Sequence, residues 1–227
     1  FGIRVSDPLS AAAEAGPATV GATYAGSVQA TGGRGPFVYT MAAGTLPAGL
    51  QVDGASGRIT GTPRSSGTSA GLQVRVADAD GRVATTPVFS IVVSLPLSLV
   101  GSGLPAQTAT VGLAYDSSVS ATGGDAPYAY TLSAGTLPNG LTLDAGSGRI
   151  SGIPTNTGLA EGLQITVADV HGRIVRSGPF RIDVRDPVVV AGDPPGFGTT
   201  GIAYGPAAFA AAGGRGPYTF AMVGTLP

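Results

Sequence analysis

A stretch of 20 residues occurs twice in this chain, as GTLPAGLQVDGASGRITGTP at 44–63 and GTLPNGLTLDAGSGRISGIP at 135–154, and its first four residues return at 224–227. The shift between the complete copies, from Gly44 to Gly135, is 91 residues. The same shift carries Tyr24 onto Tyr115, Gly32-Gly33 onto Gly123-Gly124, Pro36 onto Pro127, Ala77-Asp78 onto Ala168-Asp169 and Phe89 onto Phe180 without a gap. A period this long is that of a domain, since solenoid units run about 20–50 residues. The chain is therefore a string of copies of one domain.

The repeated stretch reads as a small hairpin. Leu50 and Val52, like Leu141 and Leu143, alternate with polar neighbours at the period of a half-buried strand. Asp53 to Gly57 and Asp144 to Gly148 supply a side-chain acceptor and glycines that accept positive φ, so the chain reverses there. Arg58-Ile59-Thr60-Gly61 and Arg149-Ile150-Ser151-Gly152 return as a second strand. Pro63 and Pro154, with no N–H to give, end the pairing.

The rest of the chain follows the same grammar. With 38 glycines, 18 prolines and 11% charged residues, it favours turns and short strands over helices, and no helical periodicity is sustained. The fold is expected to be all-β. In the first copy the spacing predicts strands near 17–20, with an earlier segment near 9–13, then 24–30, 37–43, 50–53, 58–60, 71–78 and 83–93. Leu72, Val74 and Val76 alternate on the sixth, and Phe89, Ile91 and Val93 on the seventh. Leu50, Val74, Ile91, Leu141, Ile165 and Ile182 are the expected core. Seven short strands in roughly 90 residues suggest a two-sheet sandwich.

Phe1-Gly2-Ile3-Arg4-Val5 has the pattern of Phe89–Val93 and Phe180–Val184. It reads as the last strand of a preceding copy. The expected organisation is thus 1–8 as that strand, 9–96 and 97–187 as two repeats, and 188–227 as the first part of a third, a window on a longer array. Short linkers ending in Pro8, Pro96 and Pro187 have less freedom than a Gly/Ser tether, which predicts a semi-rigid array.

The order of motifs, ATGGRGPFVYTMAAGTLPAGLQVDGASGRITGTP followed by GLQVRVADADGR and a final alternating strand, resembles the bacterial He-PIG family of cadherin-like repeats. Residues 97–184 match as well, and 188–227 match its first half. The resemblance implies tandem Ig-like (cadherin-like) β-sandwich domains of large bacterial surface proteins, adhesins and some phage virion proteins. It implies no catalytic residues.

Composition narrows the chemistry in the same direction. A net charge of −1 offers no electrostatic case for nucleic acid or an anionic membrane surface. There is no cysteine, so no disulfide, thiol nucleophile or thiolate zinc site. The 12 basic residues are all arginine. The single histidine, His171, falls in a predicted turn and reads as a solvated loop residue. Tyr24, Tyr115 and Tyr204, at one place in each copy, read as core tyrosines with hydroxyls tied to backbone. Tyr39, Tyr130 and Phe220 also read as core.

Carboxylates at one pole are the remaining chemical feature. In an Ig-like topology the incoming linker gathers with alternate turns, which would bring together Asp7, Asp53, Asp78 and Asp80 at the first junction. Hard oxygen ligands from several loops are what calcium needs, so these four are the candidate calcium ligands. Pairing of Arg34 with Asp78 or Asp80, and of Asp53 and Asp144 with their own turns, are the competing uses. The second junction, with Leu95 and His171, lacks the set.

These features predict a non-catalytic spacer: tandem repeats of a bacterial surface adhesin or a phage virion fibre, located outside the cell or on the virion. Its partners would be neighbouring repeats of the same chain, and a cell-surface glycan or protein receptor if the turns bind one. That ligand-binding module is the alternative reading, and an accessory domain of a secreted depolymerase a third.

Overall fold

The computed structural model describes residues 7–100, 104–192 and 196–223. The strand expected within 1–8 and the third GTLP therefore lie largely outside the described residues. The chain divides into two compact units, the first running to Ser98 and taking in Gly123–Asp125, the second holding Leu99–Thr122 and the residues from Ala126 onward.

In chain order the first unit is built from β1 (Ser10–Glu14), β2 (Ala18–Thr19), β3 (Tyr24–Thr31), β4 (Val38–Ala43), β5 (Leu50–Val52), β6 (Arg58–Gly61), β7 (Gly67–Ala77), β8 (Val83–Thr85) and β9 (Phe89–Ser94). One sheet has the order β1-β3-β6-β5 and the other β2-β9-β7-β4, with β8 also paired to β7. The opening strand changes sheets. β1 pairs antiparallel with β3, β2 pairs parallel with β9, and Pro17, which cannot donate to a ladder, lies between them.

Period-2 alternation places the core between the sheets. Val28 and Ile59 from one sheet meet Leu72, Val74, Val76 and Ile91 from the other, all almost fully buried, and Tyr24 and Tyr39 join the same cluster. Leu50, on the edge strand β5, is only half-buried. Just beyond it the backbone is crowded: a Cβ at Gly61, where φ is +138°, would lie 2.0 Å from the Gly49 carbonyl oxygen.

One expected element is corrected. The strand predicted over 83–93 is two strands, broken at 86–88, and β7 begins at Gly67 instead of 71. Pro87 interrupts the ladder, and β7 shifts register between Ser69 and Leu72. Buried Thr86 repairs the join. Its N–H donates to the Val74 carbonyl at 3.0 Å, and its Oγ1 accepts from the Val74 N–H at 3.1 Å. Ser177 does the same in the second repeat, accepting from the Ile165 N–H at 2.9 Å.

The second unit continues with β10 (Ser98–Leu99), β11 (Thr108–Thr110), β12 (Tyr115–Ser118), β13 (Ala121–Thr122), β14 (Ala129–Ala134), β15 (Leu141–Leu143), β16 (Arg149–Gly152), β17 (Gly158–Ala168), β18 (Ile174–Arg176) and β19 (Phe180–Arg185). Its sheets follow the first unit: β12-β16-β15, with β10 and β13 paired alongside, and β11-β19-β17-β14, with β18 on β17. Leu141, Ile150, Leu163, Ile165, Val167 and Ile182 form its core.

β20 (Val189–Gly192) and β21 (Phe209–Ala212) then pair antiparallel, Val189 opposite Ala212, in the manner of β1 and β3. Their neighbours Tyr204 and Phe220, expected in a core, are about half exposed.

Candidate functional site

The β7–β8 turn holds the most constrained carboxylate. Asp78 is buried, and its Oδ1 accepts from the N–H groups of Asp80 at 3.0 Å and Arg82 at 2.8 Å. Its Oδ2 accepts from the Arg34 N–H at 3.2 Å and faces the Arg82 guanidinium at 3.7 Å. Burial pushes the Asp78 carboxyl up, but the N–H groups of Arg82, Arg34 and Asp80 and the Arg82 charge outweigh it and hold it below the usual carboxylate range. Asp80 is shared between Arg34 at 3.1 Å and Arg82 at 3.5 Å. Asp7 approaches through its backbone: its carbonyl accepts from the Gly33 N–H at 2.9 Å, beside Asp78.

Asp53 belongs to its own turn. Its Oδ1 accepts from the Ser56 N–H and the Ser56 hydroxyl, both at 2.7 Å, and from the Ala55 N–H at 3.2 Å. The Ser56 hydroxyl, and then the N–H groups of Ser56 and Ala55, hold its carboxyl low. Asp144 repeats this cap with Ser147 and Gly146.

These residues do not fit calcium. The site needs free oxygens from several loops converging on one point. Here Asp53 satisfies its own turn, Asp78 serves three backbone donors, and Asp80 neutralises two arginines. Among the described residues no group of three or more acidic or histidine side chains has the arrangement of a metal site. Of the expected set, Asp7, Asp78 and Asp80 form instead a turn-and-linker clasp, and Asp53 serves its own turn. The second repeat keeps the central part: Asp169 accepts from the N–H groups of His171 at 2.9 Å and Arg173 at 3.0 Å.

The repeats differ on the outer face of the β1/β3/β6 sheet, which the sequence reading passed over. In the second, Arg149 makes a bidentate pair with Asp116, Nε to Oδ1 and Nη2 to Oδ2 both at 2.8 Å. That pair holds the Asp116 carboxyl low and pushes the Arg149 guanidinium up. The equivalent arginine, Arg58, has Ala25 where Asp116 stands and forms no ion pair among the described residues. An open groove lined by Glu14, Ser27, Gln29, Tyr39, Ser56 and Arg58 lies there. The sequence signal was available, as one substitution between aligned copies.

Two such sandwiches, with hydrogen bonds reproduced at one period, define tandem Ig-like domains. The family described as "Putative Ig domain" (He-PIG) matches residues 7–94 and 98–185, and the chain belongs to it. It is 31% identical over 153 residues to the serine-rich adhesin for platelets of Staphylococcus aureus strain USA300, a match covering 67% of this chain. The chain spans about 7% of that adhesin's length. Extracellular domains 3–5 of Drosophila OTK superpose with a TM-score of 0.50 at 14% identity, over 76% of this chain and 60% of that one. That likeness is one of fold.

Proposed function

We propose that these repeats are a non-catalytic spacer in an adhesin-type protein of the bacterial surface, holding other domains away from the cell. The observation that carries this reading is the duplication of purely structural chemistry. Tyr24 donates to the Gly16 carbonyl and Tyr115 to the Ala106 carbonyl, one position earlier in its copy. Asp53 and Asp144 cap the same turn, and Thr86 and Ser177 mend the same strand break. Polar groups are spent on holding each sandwich together, and one histidine with no cysteine leaves little for acid–base or nucleophilic catalysis. The similarity to a surface adhesin supports the location; a virion fibre is the alternative place for the same spacer. No helix among the described residues is long and apolar enough to cross a membrane.

The test exchanges residues 9–187 of the full-length protein for an unrelated tandem Ig-like pair of equal length and measures adhesion of cells bearing it. A spacer predicts that the exchange preserves adhesion while simple deletion weakens it. Loss on exchange as complete as on deletion would refute the spacer and favour specific recognition by these repeats.

A further inference from the structure

The turn between β14 and β15 is fixed by its glycine. The Leu141 N–H donates to the Pro138 carbonyl at 3.0 Å, which puts Asn139 and Gly140 at the central positions of a β-turn. Gly140 has φ +89°, and a Cβ there would lie 2.0 Å from the Ile153 carbonyl oxygen, so only glycine fits. An asparagine at 139 is therefore always followed by an amide nitrogen with no side chain beside it. The first repeat builds the same turn without asparagine. Ala48 and Gly49 stand there, and the Leu50 N–H donates to the Pro47 carbonyl at 3.0 Å. The Asn139 side chain is thus not what holds the turn. Asn139 and Gly140 are exposed, and among the described residues neither the Asn139 carboxamide nor the Gly140 N–H has a hydrogen-bond partner.

The comparable places in the chain are already engaged. Asp53 precedes Gly54, but its carboxylate accepts from Ala55 and Ser56. Asp80 precedes Gly81, but it is paired with Arg34 and Arg82, and the Gly81 N–H donates to the Asp78 carbonyl at 3.1 Å. An ionised, hydrogen-bonded carboxylate is a poor electrophile. Asn156, the other asparagine, accepts from the Thr155 hydroxyl at 2.8 Å and is followed by β-branched Thr157, which crowds the next amide nitrogen.

We propose that Asn139 is a site of spontaneous deamidation, converted in the folded protein to aspartate and isoaspartate. The Gly140 nitrogen, deprotonated by hydroxide, attacks Cγ of Asn139. The N–Cγ bond forms, the Cγ–Nδ2 bond breaks, and Nδ2 leaves as ammonia with a proton from water, closing a succinimide ring. Water then opens the ring. Cleavage at Cγ restores the main chain with aspartate at 139. Cleavage at the main-chain carbonyl leaves isoaspartate, whose chain runs on through Cβ and Cγ. One water is consumed and one ammonia released, with no change of oxidation state. Either product adds a negative charge to a chain of net charge −1, and isoaspartate also lengthens the main chain between Pro138 and Gly140. The mark accumulates with the protein's age and falls on the second repeat, since Ala48 carries no amide. The inference is independent of the spacer reading.

The test incubates the whole chain in mildly alkaline buffer, folded and in urea, and follows Asn139, Asn156, Asp53 and Asp80 by peptide mapping with isoaspartate-specific methylation. In the folded chain the amide at Asn139 should be lost, with aspartate and isoaspartate appearing together and ammonia released in step, faster as pH rises. Asn156, Asp53 and Asp80 should be unchanged over the same period. Asn139→Ala should abolish the ammonia release and leave both thermal transitions in place, because Ala48 fills that position in the first repeat. Ala48→Asn is the decisive variant. It sets an asparagine before Gly49 in the same turn and should create a second site that loses its amide in the folded chain. The proposal is overturned if Asn139 keeps its amide in the folded chain while converting in urea. It is equally overturned if aspartate forms without isoaspartate, if Asn156 converts as fast, or if Ala48→Asn converts only in urea.

Discussion

Replacing Ile91 by alanine should unfold one repeat at a lower temperature and leave the other unchanged. Ile91 sits in β9 opposite Ser69 of β7 and is completely buried among Val28, Ile59, Leu72, Val74 and Val76. The substitution removes three carbon groups, which at about 0.8 kcal/mol each is about 2.4 kcal/mol of transfer free energy. Two hydrogen-bonded sheets hold the walls of the site apart, so a cavity term adds to this and the loss should reach about 3–4 kcal/mol. A domain of this size has about 5–15 kcal/mol in total. At about 4–8 °C per kcal/mol the first repeat's melting temperature should fall by about 12–32 °C. Calorimetry separates the transitions, and amide hydrogen exchange assigns them to repeats. Val92, the next residue, is 41% exposed, and Val92→Ala should cost less than about 0.5 kcal/mol. A loss below about 1 kcal/mol at Ile91, or a larger one at Val92, would refute the argument, because a one-residue slip exchanges the two faces of a strand.

Other expectations follow from the polar groups. Tyr24→Phe and Tyr115→Phe should each cost about 0.5–1.5 kcal/mol in urea unfolding of the repeat concerned, since each strands a backbone carbonyl. Burial raises both tyrosine hydroxyls above their ordinary pKa of 10.0, so their contribution is complete below that value and lost as pH rises through the folded pKa. The carboxyls of Asp53, Asp78, Asp116 and Asp144 are lowered, so their stabilisation is present above the ordinary value of 3.8 and disappears as pH falls through the folded pKa. Asp116→Asn should reduce that acid dependence in the second repeat alone, leaving the part due to Asp144, which urea midpoints across the acid range would read. Calcium against chelator should leave both melting transitions in place; a calcium-dependent rise in the first would restore the metal reading for Asp7, Asp78 and Asp80.

Much of the fold was legible along the chain. Phe, Ile and Val at alternate positions of 89–93 and 180–184 marked strands with one buried face, and the repeated Asp-to-Gly turns marked hairpins. The strand break at 86–88 was less legible. Pro87 announced an interruption, but the rescue by the Thr86 hydroxyl depends on where Val74 lies across the ladder. The aspartates were ambiguous for a similar reason. A carboxylate in a turn looks alike whether it awaits a metal or accepts from nearby N–H groups, and the choice for Asp78 rests on Arg34, 44 residues earlier in the chain.

The sequence by itself determined the domain period, the strand pattern, the hairpins and the family, because each is written in short-range alternation, in glycine and proline placement, and in their recurrence after 91 residues. The tertiary structure alone decided which aspartates are already satisfied, and that Arg149 meets a carboxylate where Arg58 meets none among the described residues. Arg58 and Arg149 stand in the same local motif, and what separates them is the residue diagonally across a neighbouring strand, Ala25 or Asp116. Cross-strand register belongs to two segments at once, so the difference acquires its chemical meaning only when β3 lies beside β6.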